Sequence, residues 1–441
     1  MNNCRCCGIL LSCLLLCARP AAAQNGGYSP AVTLPVGAYP TSVAGADING
    51  DRQPDLICVN GGDNTLTVLT NDGSGGLGSN ATVTVGSYPL WVTAVDVNND
   101  NWPDAISANY SDNTATVLTN DGSGVLVSSA TIDAGSGPAC VVAADINHDG
   151  WVDLVFANSG GSTLTVLTND GSGQFGFNAS YNIGQTPSSV VAADINGDGS
   201  PDLITANAYE SSLSLLTNNG TGGYSLAATI PVNSTPYAVA GADVNKDGKV
   251  DLVCASYSEN SLTVLTNSGG GVFGSNATVT VGSAPFALVV AEVNDDNWPD
   301  LVCVNAGDNT VTLSTNDGSG GFELEATLDV GGYPLSIAAV DVNMNGLADF
   351  ITANYYDSTL SLLLSPASKA LVPSLTISLS GPGTLVISWP SAANGFVLQE
   401  NPDLNPTHWT EYGGAIDDNG TTKSVTITGL SGSRFYQLHH P

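Results

Sequence analysis

The 441 residues carry a formal net charge of -32, with 8 Lys plus Arg against 40 Asp plus Glu. Such a chain has no basic surface to neutralise phosphates, which excludes nucleic acid and anionic membrane as partners. With 42% apolar residues, 51 glycines and only 11% charged residues, it is not a disordered polymer, and the balance implies a turn-rich all-β fold with several cores.

The N-terminus reads as a secretory leader over residues 1–23: Arg5, the apolar stretch Ile9 to Leu16, and Ala21-Ala22-Ala23 before Gln24. Leu10-Leu11-Ser12-Cys13 offers the alternative of a lipidated cysteine. No later stretch has the roughly 18 apolar residues of a membrane span. The chain is therefore expected outside the cell or in a periplasm. Five of its 9 cysteines (Cys4, Cys6, Cys7, Cys13, Cys17) fall within the leader. Of the other four, Cys58, Cys254 and Cys303 recur at one place in a repeat, as buried core side chains do, and Cys140 is the fourth.

From Asp47 onward the sequence is periodic. Asp47, Asp96, Asp145, Asp194, Asp243, Glu292 and Asp341 each open the same acidic turn, and neighbours are 49 residues apart throughout. A fixed period near 50 residues marks a solenoid or a propeller. One unit reads as four short strands ("SYNI", "SSVVAADI", "DLITANA", "SLSLLTN") separated by Gly, Asn, Asp and Pro. Seven such units make a seven-bladed β-propeller over residues 31–366. The last unit lacks its fourth strand, and "AVTLPVG" at 31–37 resembles the fourth strands "ATVTVG" at 81 and 276, so the N-terminal strand is expected to close blade seven.

In each turn, carboxylates and amides occupy positions one, three, five and nine. These are Asp47, Asn49, Asp51, Asp55; Asp96, Asn98, Asp100, Asp104; Asp145, Asn147, Asp149, Asp153; Asp194, Asn196, Asp198, Asp202; Asp243, Asn245, Asp247, Asp251; Glu292, Asn294, Asp296, Asp300; and Asp341, Asn343, Asn345, Asp349. They hold 20 of the 40 acidic residues. Like charges at this density suit a hard cation with six to eight oxygen ligands; a metal-free Asx turn is the alternative. The loop is not an EF-hand, because its twelfth position falls in an apolar strand, as at Phe156. Position six is Gly or Asn except at Arg52, position one is the longer Glu292 in blade six, and Asn345 replaces an aspartate in blade seven.

"VVAADINGDGSPDLITAN" followed by "LTNNGTGGYS" resembles the FG-GAP or VCBS-type repeats of integrin alpha-chain propellers and of many secreted bacterial proteins, over residues 31 to about 365. The resemblance implies calcium, up to seven ions, in the loop between the first and second strands of each blade. The overall reading is a binding or adhesion module for a glycan or an extracellular protein, expected to be monomeric.

Alternating connections put the acidic turns and the "NDGSG" hairpins on one face. The variable loops share the other, with Tyr39, Tyr88, Trp91, Tyr110, Tyr209, Tyr237, Tyr257, Tyr333, Tyr355 and Tyr356. Such rings suit sugar faces or protein hot spots, or else pack between blades. The catalytic inventory is poor: His148 sits in an acidic turn, and His408, His439 and His440 lie near the C-terminus. A polysaccharide-active, lyase-like enzyme and a purely structural envelope module are the rival readings. Residues 372–441, with "LVISWP" and "RFYQL", resemble a fibronectin type III-like β-sandwich with Trp389 in its core. By fold-level analogy this is a spacer or attachment module.

Overall fold

The computed structural model describes residues 26–73, 75–318, 320–366, 376–381, 384–390, 397–401, 409–419, 422–428 and 435–439. The expected leader, His408 and His440 lie outside them. Among the described residues, seven four-stranded antiparallel sheets follow one another in the order inner, second, third, outer strand. In blade one these are Pro40–Ala46, Asp55–Asn60, Thr65–Asn71 and Leu77–Thr84. Inner strands of successive blades touch in turn, and the first also touches the seventh, Pro334–Val340, so the ring is closed.

Every second strand is buried along its whole length, as in Asp202–Asn207. A strand covered on both faces by adjacent blades needs no polar alternation, which is why "DLITAN" and its copies are apolar runs. The cores lie between blades: Leu56 and Cys58 of blade one pack with Ile351 and Ala353 of blade seven. Cys58, Cys140, Cys254 and Cys303 are buried and unbridged. Outer strands face solvent and alternate. They begin earlier than the β-branched pattern suggests, Phe175–Asn182 rather than at Ser180, because a bulge at Val166/Leu167 lets the residues after the hairpin join the ladder.

Val32–Pro35 pairs antiparallel with Thr359–Leu363, in the register Val32↔Leu362 and Leu34↔Leu360. The clasp extends upstream of the expected strand. Tyr28, 1% exposed, stacks on Phe350 at 5.2 Å, and its hydroxyl donates to the Ala348 carbonyl at 3.0 Å.

A second device ties blade to blade. The asparagine ending each third strand is buried, and its amide donates to a carbonyl in the preceding blade's acidic turn: Asn71 to Val342, Asn120 to Ile48, Asn169 to Val97, Asn218 to Ile146, Asn267 to Ile195 and Asn316 to Val244, all at 2.7–2.8 Å. Reading "NDG" as turn chemistry captures the glycine's positive φ, 85° at Gly171, but misses this staple. Blade seven has Ser365 there, and its hydroxyl turns instead to Asp349 at 2.7 Å.

Beyond the ring, two sheets are described: Thr376–Gly381, Thr384–Pro390, Thr422–Thr428 and Asp417–Asp418 in one, and Thr410–Glu411, Val397–Asn401 and Phe435–His439 in the other. Ile387, Trp389, Leu398 and Val425 form a common buried cluster.

Candidate binding face and acidic turns

The acidic turns have one geometry, seen in blade four. Asp194 Oδ1 accepts from the Gly197 and Asp198 amides at 2.7 and 3.2 Å, and Oδ2 from Gly199 at 2.8 Å. Asn196 Oδ1 accepts from Asp198 N at 2.8 Å, and Asp198 Oδ1 from Ser200 N at 2.8 Å. Position nine is a brace: Asp202, fully buried, accepts from Ile195 N at 3.2 Å and from Asn218 N at 2.8 Å. It thereby locks the turn to the end of the third strand. Burial raises the pKa of the position-nine carboxyls, to about 6 at Asp104 and Asp153 and about 7 at Asp300, and the carboxylates at positions one and five push the same way.

In blade four each carboxylate keeps at least one lone-pair site beyond those its hydrogen bonds use, and the donor set is oxygen only, which fits a hard cation. Among the described residues, no three His, Cys, Asp or Glu side chains gather as a ready metal cluster. The turns here are folded around backbone N–H groups. Positions four and six are left-handed throughout, His148 at φ 61° and Arg52 at φ 69° included. Trp151, at position seven, packs its ring on the hairpin of its own blade, where a Cβ on Gly171 would fall 2.5 Å from the ring.

The opposite face is built by a three-residue device opening each inner strand. A left-handed residue precedes a proline, and the residue after the proline is a bulge that re-aims its side chain toward the axis. In blade two these are Tyr88 (φ 50°), Pro89 and Leu90, with the register slipping between Pro89 and Trp91. Tyr39 and Tyr333 are left-handed too, at φ 53° and 56°. Such backbone costs a bulky residue on the order of 1–2 kcal/mol, and the surrounding loop holds it: Tyr88 N donates to Asn64 Oδ1 at 2.8 Å, and Tyr88 O accepts from Tyr110 N at 3.1 Å.

The rings meet in one band. Phe286 lies 4.6 Å from Tyr237, and Tyr237 lies 4.9 Å from Tyr257. Tyr257 and Tyr237 lie close enough to Tyr333 to act on its hydroxyl, and Tyr333 lies 4.8 Å from Tyr356. Tyr355 stacks on Tyr39 at 4.9 Å and meets the Tyr88 hydroxyl at 3.2 Å, and Tyr88 lies edge-on to Tyr110. The hydrogen bond to Tyr88 and burial push the Tyr355 hydroxyl to about 12. Burial and the neighbouring Tyr257 hydroxyl do the same to Tyr333. The band spans blades five, six, seven, one and two.

The sequence expectations divide accordingly. Tyr88, Trp91, Tyr110, Tyr237, Tyr333, Tyr355 and Tyr356 line a central cavity, and Tyr257 backs them. Tyr209, 78% exposed, stands apart from the cavity. Trp91 is only half-exposed and packs against two blade cores as well as lining the cavity. Phe286 was not among the candidates, although it lies 49 residues after Tyr237 on the same bulge.

Models of the FG-GAP-like repeat match residues 47–107, 96–156, 145–205, 194–254, 243–303 and 292–352. The chain belongs to the FG-GAP-like repeat family. No curated protein matches it in sequence. Among solved structures, a protein from Lactobacillus plantarum is 20% identical (TM-score 0.54; 67% of this chain, 86% of that one). Virginiamycin B lyase from Staphylococcus aureus is 14% identical (TM-score 0.53; 76% and 99%). BBS1N, solved in complex with ARL6DN, is 12% identical (TM-score 0.58; 78% and 98%). At these identities the likeness is one of fold.

Within this FG-GAP-like ring the divergent turns keep the common form by different means. Arg52 N donates to Asp47 Oδ2 at 2.8 Å, as the glycines do elsewhere. Asn345 turns its amide inward to Ser365 at 2.9 Å and the Pro366 carbonyl at 3.1 Å. Glu292 Oε1 takes the turn amides, leaving its buried Oε2 without a hydrogen-bond partner. An unpartnered carboxylate oxygen of this kind fits a cation ligand.

Proposed function

We propose that this FG-GAP-like propeller is a binding module of the cell exterior, stabilised by calcium in its acidic turns, that holds a glycan or an extracellular protein against its tyrosine face. The observation that carries the reading is the band of packed rings, three of which (Tyr39, Tyr88 and Tyr333) sit on strained, left-handed backbone, since strain of this kind persists where the surroundings fix it and clusters at ligand sites. Calcium would be held by the side chains at positions one, three, five and nine, and supplies charge neutralisation where carboxylates crowd. Residues 1–23 act as the export leader, and the fibronectin type III-like C-terminal unit serves as spacer or attachment.

The test is a glycan and protein array with and without calcium, run on the wild type, Tyr356→Ala and Asp198→Ala. Tyr356 is 65% exposed, so its loss should weaken binding at least about fivefold, by about 1 kcal/mol, while leaving stability intact. Asp198→Ala should lower stability in calcium and spare binding below melting. Binding abolished by Asp198→Ala in a still-folded protein, and untouched by Tyr356→Ala, would move recognition to the acidic face.

A further inference from the structure

The tyrosine band rims a central cavity of about 1130 Å³ that runs down between the inner strands. Its walls are Val142, Val191, Ala240, Val289 and Ala339, with Leu90 and Leu335 near the mouth. Among the described residues lining it, none is acidic or basic, in a chain whose net charge is -32. The same inner strands lead straight into acidic turns, so this neutrality is local to the channel.

We infer that the channel is a binding site for an uncharged, mainly apolar small molecule that carries hydroxyl or amide groups. Four features converge on that class. The volume is slightly above the roughly 300–1,000 Å³ of small-molecule pockets. An ion moved into such walls would lose its hydration with no counter-charge among them to offset the loss. Polar but uncharged partners are nonetheless present: each inner strand is the edge of its sheet and turns one row of backbone N–H and C=O groups toward the axis, and tyrosine hydroxyls stand at the mouth.

The fourth feature is a gap in the band. Where the other blades bring rings or leucine, blades three and four bring Gly137, Ala139 and Ser159, and Thr186, Ser188 and Ala208. The small side chains open the mouth on one side, so a ligand can enter past them and lie against the rings opposite.

This site goes beyond the recognition of a glycan or protein proposed above, because the ligand sits within the ring. The test uses the full chain and three naphthalene probes: neutral N-phenyl-1-naphthylamine, anionic 8-anilinonaphthalene-1-sulfonate, and a cationic trimethylammonium naphthalene. The neutral probe should bind saturably and at least tenfold tighter than either ion, and should raise the urea midpoint, as a ligand of the native state does. Ala339 lies exposed in the channel wall, so Ala339→Phe should fold normally and weaken neutral-probe binding at least tenfold. Ala240→Phe, from a different blade, should do the same. Phe177→Ser removes a ring 70% exposed on an outer strand and should change nothing.

Equal or tighter binding of a charged probe would overturn the inference. So would a lowered urea midpoint, or binding lost in Phe177→Ser and kept in both channel variants. Ala339→Phe, should it abolish neutral-probe binding while glycan or protein capture persists, tells the two sites apart.

Discussion

Asn169→Ala tests whether the asparagine staples hold the ring. Asn169 is 4% exposed and makes four hydrogen bonds: its amide donates to the Val97 carbonyl of blade two at 2.7 Å and the Val152 carbonyl at 3.0 Å, and its oxygen accepts from Gly171 and Gly173 at 3.0 and 3.2 Å. Alanine leaves the Val97 carbonyl, in a residue 1% exposed, without that donor. An unmade bond at a buried group costs about 1–3 kcal/mol. The glycine amides lie in an open hairpin where water replaces most of their loss, so the expected destabilisation is about 2–4 kcal/mol in total. Urea unfolding followed by tryptophan fluorescence reads it as a lowered midpoint with unchanged slope. Asn178→Ala is the internal control, since Asn178 is exposed and its inter-blade bond to Gly222 is long, 3.4 Å. A loss below about 0.5 kcal/mol for Asn169→Ala, the range of ordinary surface changes, or an equal loss in the control, would refute the staple.

Calcium should raise the melting temperature with the logarithm of one plus its concentration over its dissociation constant, and chelation should reverse the rise; an unchanged curve in scanning calorimetry removes calcium from the account. Deleting residues 24–37 should expose the edge of Thr359–Leu363, giving aggregation in light scattering or a broadened transition; a truncated chain that melts like the intact one would mean that the strand does not close the ring. The tyrosine hydroxyls hold their protons more tightly folded than unfolded, to about 12 at Tyr333 and Tyr355 against 10.0. That contribution to stability is complete below pH 10 and is lost as pH rises toward 12. The urea midpoint should therefore fall over this window, and less steeply in a Tyr333→Phe/Tyr355→Phe variant.

The ring was legible because its signals are local and repeated: a 49-residue period fixes the blades, and "AVTLPVG" matches the strand that blade seven lacks. The acidic turns were legible for the same reason, down to the left-handed sixth position. What escaped the reading depends on contacts between units. Asn169 looks like any residue of an Asn-Asp-Gly hairpin until blade two is placed beside it. Tyr28 stands upstream of the apparent strand and shows its role only against Phe350. The face of each ring was readable by counting connections, whereas the depth of Trp91 and the part played by Phe286 follow from a bulge that alternation does not reveal.

The clasp between Val32–Pro35 and Thr359–Leu363 also sets a timetable. The closing strand is among the first parts of the propeller to leave the ribosome, and its partners are among the last. At roughly 5–20 residues per second, the strand waits on the order of tens of seconds for Leu360 and Leu362. During that interval every completed blade stands in an open arc with apolar flanks uncovered at both ends, the arrangement most prone to joining a second nascent chain. Dense negative charge on the turns keeps such arcs apart from one another.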